Sequence, residues 1–335
     1  MPVEAPKTYF ADRNETSCNF ILITEKLHYA SDTLHPHGTR AELPPMALQR
    51  AYTKLCDHHI GSAPLEYYDV LVRKLGTLAG WYKADHTRAA KLNADFQIGP
   101  PGFGAGSTPE AMGTQLDMLV EFMGTVGYMV FPPDVADVGY LANFKAEVLH
   151  MAKHFGAITE HLLSDPDYIA YTHPNLNIDN AYWWRDEQGK LDAGLIDWSG
   201  FRATEVTSHL DMCLFAGEWP LQEANQQPLL AAFAQAYSEG GGPQLDVAEL
   251  SLRFDLTLAL SFAGQVGVAP TIYSKIPRRE WPTVTDRMDA RIDGADDKAF
   301  LLRSYLMGLV YRVTRWKRSG VYRKVVHFLE QKGLS

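Results

Sequence analysis

Cysteine is scarce in this sequence. Cys18, Cys56 and Cys213 are spread over 335 positions, with no Cys-x-x-Cys pair. That spacing offers neither a disulfide framework nor a zinc site, and it points to a reducing compartment. A secretory leader is not read either, because Met1-Pro2-Val3-Glu4-Ala5-Pro6 has neither a basic region nor an apolar core. Long apolar runs are also missing. The best candidate, Met118 to Phe131, contains Glu121 and is too short to cross a hydrocarbon layer of about 30 Å. Nor is there an excess of positive charge: 40 acidic residues face 31 basic ones, for a formal charge of −9. Broad binding to nucleic acid or to an anionic membrane is therefore not expected, although a local basic pocket for phosphate is still allowed. The expected location is cytoplasmic. Nothing in the sequence speaks to oligomeric state.

What is present is the balance of a globular protein, 46% hydrophobic and 21% charged, with enough chain for one large domain or two smaller ones. The start reads as β structure. Tyr9–Ala11 and Asn19–Ile23 are apolar runs around the polar stretch Asp12–Thr16, the pattern of two antiparallel strands and a turn. A polar, histidine-bearing loop comes after Leu27 and ends at Pro44-Pro45. Helices are then expected over Met46–Asp57 and over Glu66–His86, where Leu71, Leu75, Leu78 and Tyr82 keep helical spacing. Ile98–Pro109 is rich in Gly and Pro and must be a loop. Its Gly-Ala-Gly-Ser core has no strand before it and no Gly-Lys-Ser/Thr after it, so it fits neither phosphate-binding glycine pattern.

One amphipathic helix is expected over Tyr140–Ser164, through Leu141, Phe144, Val148, Met151, Phe155, Ile158 and Leu162. The chain then changes character. Tyr168–Tyr171 and Ala181–Trp184 read as strands, and a polar turn containing Gly189 leads into a further run at Leu191–Ile196. Helices are expected again over Pro228–Ser238, Asp246–Val266 and Asp297–Glu330, the last as a single long closing helix.

The stretch richest in chemistry is His173-Pro174-Asn175-Leu176-Asn177-Ile178-Asp179-Asn180, with the hairpin and Ile196-Asp197-Trp198 after it. Phosphoryl transfer asks little covalent work of a protein. It asks for cations on the phosphates and a polar group that aligns the attacking hydroxyl. An acceptor on a turn, an Asn a few residues on, and an Asp beyond a short hairpin meet that demand. Oxygen donors of this kind suit Mg2+, which keeps several waters and takes one or two ligands from protein.

These residues resemble the kinase-like small-molecule phosphotransferases of the aminoglycoside phosphotransferase and choline kinase type. That family carries His-Gly-Asp-x-x-x-x-Asn, then hairpin strands ending in Ile-Asp-Trp or Ile-Asp-Phe. The resemblance implies a protein-kinase-like α+β fold, with a residual small-lobe β-hairpin and hinge at residues 1–27. A mainly helical large lobe over 28–335 would contain the loop and metal-binding hairpin at 168–198. It implies Mg2+ and ATP or GTP as cofactors and a small hydroxyl-bearing molecule as substrate. Asn180 and Asp197 take the two metal-ligand positions. Asn175 stands where the family has its catalytic aspartate, and His173 opens the loop. His209-Leu210-Asp211 is similar to the family's Asp-Leu-Ala element, which makes Asp211 a candidate brace for the loop. Upstream, Pro6–Asp12 and Phe20–Leu27 resemble the last two small-lobe strands and hinge, so the backbone of Glu25, Lys26 and Leu27 would face an adenine edge.

Two departures from the family pattern matter. An amide at Asn175 accepts a hydrogen bond but takes up no proton at physiological pH. Only five residues precede Pro6, so the glycine-rich flap, the phosphate-holding lysine and its glutamate partner cannot be placed. Either the chain starts late or the small lobe is truncated. The alternative is therefore a catalytically inactive pseudokinase acting as a binding or scaffold module.

Other signals are weaker. His150 and His154 have the spacing of a zinc helix, but Met151 stands where the glutamate of that motif belongs, and His161 is off its spacing; they read as surface or partly buried histidines. His35, His37, His58 and His59 lie in or near loops and could bind a metal, with nothing in the sequence to set their geometry. Trp183, Trp184, Trp198 and Trp219 are expected in the core. Arg312, Arg315, Lys317, Arg318, Arg323 and Lys324 read as a solvated helix face.

Overall fold

The computed structural model describes residues 1–13, 20–27, 56–60, 63–95, 98–101, 108–186, 188–215, 217–294 and 297–334. The expected helix at Met46–Asp57, the loop after Leu27 with His35 and His37, and the Gly-Ala-Gly-Ser core lie outside these residues, apart from Cys56 and Asp57. The chain is an α+β protein: among the described residues, three small antiparallel sheets accompany a mainly helical body.

The first sheet pairs β1 (Thr8–Arg13) with β2 (Phe20–Thr24). This ribbon stands away from the body, with Tyr9, Phe10, Phe20, Ile21, Leu22 and Ile23 all exposed. The segment before it is anchored instead. Val3 is buried, and the carbonyl of Glu4 accepts from the Leu195 N–H at 2.8 Å.

Helix α1 (Pro64–Lys83) starts on a proline, whose missing N–H costs nothing at that position. Its buried face, Tyr68, Leu71, Val72, Leu75 and Leu78, packs on the hairpin sheets. The opposite seam is glycine. A Cβ at Gly76 would lie 2.5 Å from the Phe233 carbonyl, and one at Gly80 2.3 Å from the Tyr237 carbonyl. Those two glycines let α1 and the later helix carrying Phe233 approach backbone to backbone.

Helices α2 (His86–Asp95) and α3 (Pro109–Glu121) come next. The region expected to be one helix is two, α4 (Val138–Ala152) and α5 (Phe155–Ser164). The Lys153 and His154 N–H groups reach back three residues, to His150 and Met151. The ladder tightens and breaks there, yet the buried face continues through Phe144, Met151, Phe155 and Ile158. The chain then forms β3 (Ile169–Thr172), β4 (Ala181–Arg185), β5 (Leu191–Leu195) and β6 (Arg202–Glu205), the last of which no sequence pattern indicates.

The remaining helices are α6 (Val206–Leu214), α7 (Trp219–Glu239), α8 (Val247–Ser261), α9 (Val268–Lys275), α10 (Asp297–Arg318) and α11 (Val321–Gln331). The single closing helix expected at Asp297–Glu330 is broken at Gly320, whose φ of 60° only glycine adopts cheaply. Together with α3–α5, helices α8–α11 enclose a second core. Phe144, Phe262 and Trp316 meet there edge to face. Among the described residues no single helix is long and apolar enough to cross a membrane.

The basic set on α10 and α11 departs from expectation. Arg312 and Arg315 are buried, not solvated. Arg312 pairs with Asp211 at 2.6 Å and Arg315 with Asp255 at 2.7 Å, while Lys324 reaches the other oxygen of Asp255 at 2.8 Å. A helical pattern of charges does not reveal whether the facing helices carry buried carboxylates, and here they do.

Candidate functional site

Strand register builds the site. β3 pairs antiparallel with β6, ending at Thr172 opposite Arg202, and β4 pairs with β5, beginning at Ala181 opposite Leu195. The chain leaves β3, runs through residues 173–180 and enters β4. It later leaves β5, runs through 196–201 and enters β6. Both connections therefore emerge at the same end of their sheets and lie side by side. A Cβ on Gly200 would sit 3.8 Å from the ring of Pro174. Thus Asn180 and Asp197, separated in sequence by the whole hairpin, meet at its base. The Ile196 N–H donates to the Asn180 carbonyl at 3.0 Å.

His173 ties the two connections together. It is buried, its Nε2 donates to the Ile196 carbonyl at 2.8 Å, and its Nδ1 accepts from the Asn175 N–H at 3.3 Å. That pair of bonds requires the neutral Nε2–H form. Burial holds the His173 pKa below the usual imidazole value, and the bond to Ile196 opposes this only in part. His173 is thus a linchpin of backbone geometry, with both ring nitrogens committed to it. Its ring lies 4.7 Å, edge to face, from that of Trp198.

The amides of the loop are oriented by one another. Asn180 Nδ2 donates to the Asn175 carbonyl at 2.6 Å, which turns Asn180 Oδ1 away from the loop. Asn177, fully buried, donates its amide to Asn175 Oδ1 at 2.6 Å. The side chain at the expected aspartate position is therefore already accepting a hydrogen bond from its own loop.

Asp197 is exposed and has a φ of 60°, alone among the described non-glycine residues. Aspartate tolerates this left-handed conformation better than most side chains, but at a cost that usually marks a functional position. Ser199 donates to Asp197 Oδ1 at 2.9 Å. The donor set fits a small hard cation: an amide oxygen on Asn180 and an exposed carboxylate on Asp197.

The other expected site residues fall elsewhere. Asp211 does not reach the loop. It is fully buried against α10, held by Arg312. The residue of that helix that touches the strand leading into the loop is His209, whose Nδ1 bonds the Thr172 hydroxyl. Burial drives the His209 pKa down to about 3, so it is neutral at ordinary pH. Nothing in the sequence marks this exchange, because the two residues are neighbours on α6 and only the packing around that helix decides which faces the strand. In the segment expected to be a hinge, the Glu25 N–H donates to the Lys7 carbonyl and its carboxylate accepts from the Lys7 N–H, at 2.8 and 2.9 Å. Leu27 packs against the first core.

The zinc-helix spacing gathers no metal cluster among the described residues. His150 bonds the Tyr322 hydroxyl, and His161 faces Glu249. Trp183, Trp184 and Trp219 are buried as expected. A cavity of about 420 Å³ opens elsewhere, beside Cys56, His58 and Asp293.

No protein-family model matches the chain, and no curated protein matches it by sequence. Several solved structures show some likeness, two of them as follows. One is a protein from Ralstonia eutropha JMP134 assigned as an aminoglycoside phosphotransferase, at 14% identity over 93% of this chain and 79% of that one, with a TM-score of 0.39. The other is the aminoglycoside phosphotransferase APH(3'')-Id of Streptomyces rimosus, at 15% identity over 78% and 75% of the two chains, with a TM-score of 0.32. Superpositions at this level carry no argument about activity, which has to come from the residues themselves.

Proposed function

We propose that this chain is a kinase-like phosphotransferase-type protein that binds a magnesium nucleotide through Asn180 and Asp197 and holds a small hydroxyl-bearing molecule against its helical body. The observation that carries the reading is the clamped Asn180 amide beside the left-handed Asp197. The metal would neutralise phosphate charge when bound. The chain's own contribution is alignment: His173 sets the spacing of the two connections, Asn180 and Asp197 present oxygens, and Leu27 offers an apolar edge to a base.

Asn175 sets the ceiling on turnover. It cannot take a proton, and a general base typically contributes about 10²–10⁴ in rate. Asn175→Asp should therefore raise phosphate transfer to small alcohols by a factor in that range, measured with labelled nucleotide. No gain, with nucleotide binding intact, would sink the catalytic reading.

A second reading has its own support. Asn175 Oδ1 is engaged by Asn177, so the amide is poorly free even to align a hydroxyl. In that reading the protein is a nucleotide-binding pseudokinase. Transfer by the unmodified chain that disappears in Asp197→Ala would exclude it.

A further inference from the structure

The sequence holds three scattered cysteines and a pair of adjacent histidines with no fixed geometry. The fold brings one of each together with a distant carboxylate. Cys56 and His58 bracket the start of the single helical turn Asp57–Ile60, and Asp293 ends the single turn Ala290–Asp293. One ligand atom from each of Cys56, His58 and Asp293 lies within 4.8 Å of the other two. We infer that Cys56 Sγ, His58 Nε2 and Asp293 Oδ2 form a binding site for a zinc-class divalent metal, separate from the loop and hairpin described above.

The donor set is chemically suited to that ion. Thiolate, imidazole and carboxylate are the three side-chain ligands zinc uses, with bonds of about 2.0–2.3 Å. A tetrahedron of that size separates its ligands by roughly 3.3–3.8 Å, so the thiol, within 4.8 Å of the other two, has a short way to close, while the imidazole and carboxylate, 2.9 Å apart, have to open slightly. A thiolate and a carboxylate also cancel the charge of a divalent ion. His58 Nε2 lies 2.9 Å from Asp293 Oδ2, and the Cys56 thiol points at the Met307 thioether 3.2 Å away. Metal binding would exchange both contacts.

The surroundings are organised around the same three residues. His59 Nδ1 accepts from the Cys56 N–H at 3.0 Å, which leaves its Nε2–H to face Asp293 Oδ1 at 3.3 Å. His58 and His59 thus both face the one carboxylate. Arg303 is a nearby cation whose charge reaches Cys56, and its guanidinium donates to the carbonyls on either side of Asp293, Ile292 at 3.3 Å and Gly294 at 2.9 Å. Arg287 is paired with Glu218 at 2.6 Å. Three protein ligands leave the fourth position of a zinc tetrahedron open, and the cavity of about 420 Å³ that Cys56, His58 and Asp293 help to line lies beside it. The site therefore has room for water or a small ligand on the metal.

The test uses the full chain and two probes. After equilibration with zinc and removal of excess, elemental analysis should find one zinc per chain. Titration with Co2+ should give the near-ultraviolet thiolate-to-metal charge-transfer band, which requires no variant. Cys56→Ser should abolish the band, and Asp293→Asn should weaken zinc retention at least tenfold. His150→Ala/His154→Ala should leave both readouts unchanged. Absence of stoichiometric zinc in the unmodified chain, or cobalt binding without a thiolate band, would overturn the assignment.

Discussion

Asp197 and Asp211 come from one short stretch of chain, and their surroundings could hardly differ more. Asp197 is exposed, sits in a left-handed backbone conformation and has a serine hydroxyl for company. Asp211 is fully buried and bound to Arg312, with Arg315 3.8 Å from its other oxygen. The first carboxylate costs the fold something and stabilises little around it. The second neutralises charge that the fold has already buried. A carboxylate open to a ligand and one enclosed by buried cations can thus be told apart by what surrounds them.

The contrast is broken most forcefully at Asp211. Asp211→Ala would leave the buried Arg312 guanidinium without its carboxylate, while Arg315 keeps Asp255, and removing one member of a buried ion pair typically costs about 3–5 kcal/mol. Denaturant unfolding should show that loss. A change below about 1 kcal/mol would mean that water reaches the cluster and that the burial argument is wrong.

A second, smaller effect is expected where the two regions join, since two buried groups there titrate in opposite senses. Burial raises the Glu205 carboxyl from its usual range to about 7, against opposing hydrogen bonds from Thr207. The folded chain therefore keeps a proton that the unfolded chain releases. Stability from this group is highest below the ordinary carboxylate pKa and falls as pH rises to about 7. His209, held at about 3 by burial, acts the other way. The unfolded chain gains a proton that the folded one refuses, so stability falls as pH drops below about 6.5. Between about pH 5 and 6.5 the two slopes oppose one another, so Glu205→Gln should unmask a rise of stability with pH across that interval. Denaturation midpoints from pH 5 to pH 8 read this directly.

Asp197→Asn is the counterpart of the first change. It keeps size and left-handed tolerance, so stability should move by less than about 0.5 kcal/mol, seen as an unchanged melting temperature without ligand. A comparably small effect is expected at the half-exposed pair of Arg185 and Glu66 on the hairpin's far end. A double-mutant cycle there should give less than about 1 kcal/mol, shrinking further in salt.

How much of this is legible in the sequence depends on the kind of contact. The hairpin base is readable because Asn180, Ile196 and Asp197 belong to motifs of local order, and strand pairing then brings them together. The breaks in the helices at Lys153 and Gly320 are not, since apolar periodicity continues across both. β6 is hidden because four residues, Arg202 to Glu205, form a strand only once β3 is there to pair with. Asp211 is misplaced because its partner lies on α10, a hundred residues away in sequence, and the exchange of roles with His209 is a matter of which side of α6 each faces. Cys56, His58 and Asp293 are invisible together for the same reason of distance.

The most direct measurement is the thermal melt of the unmodified chain and of Asp197→Asn, each with and without saturating Mg-ATP. A ligand that binds only the folded state raises the melting temperature, and more so the further its concentration exceeds its dissociation constant. The unmodified chain should melt several degrees higher with Mg-ATP, and Asp197→Asn should show little or none of that rise while melting normally without it. Equal shifts in both proteins, or no shift in either, would contradict a metal–nucleotide site at Asn180 and Asp197.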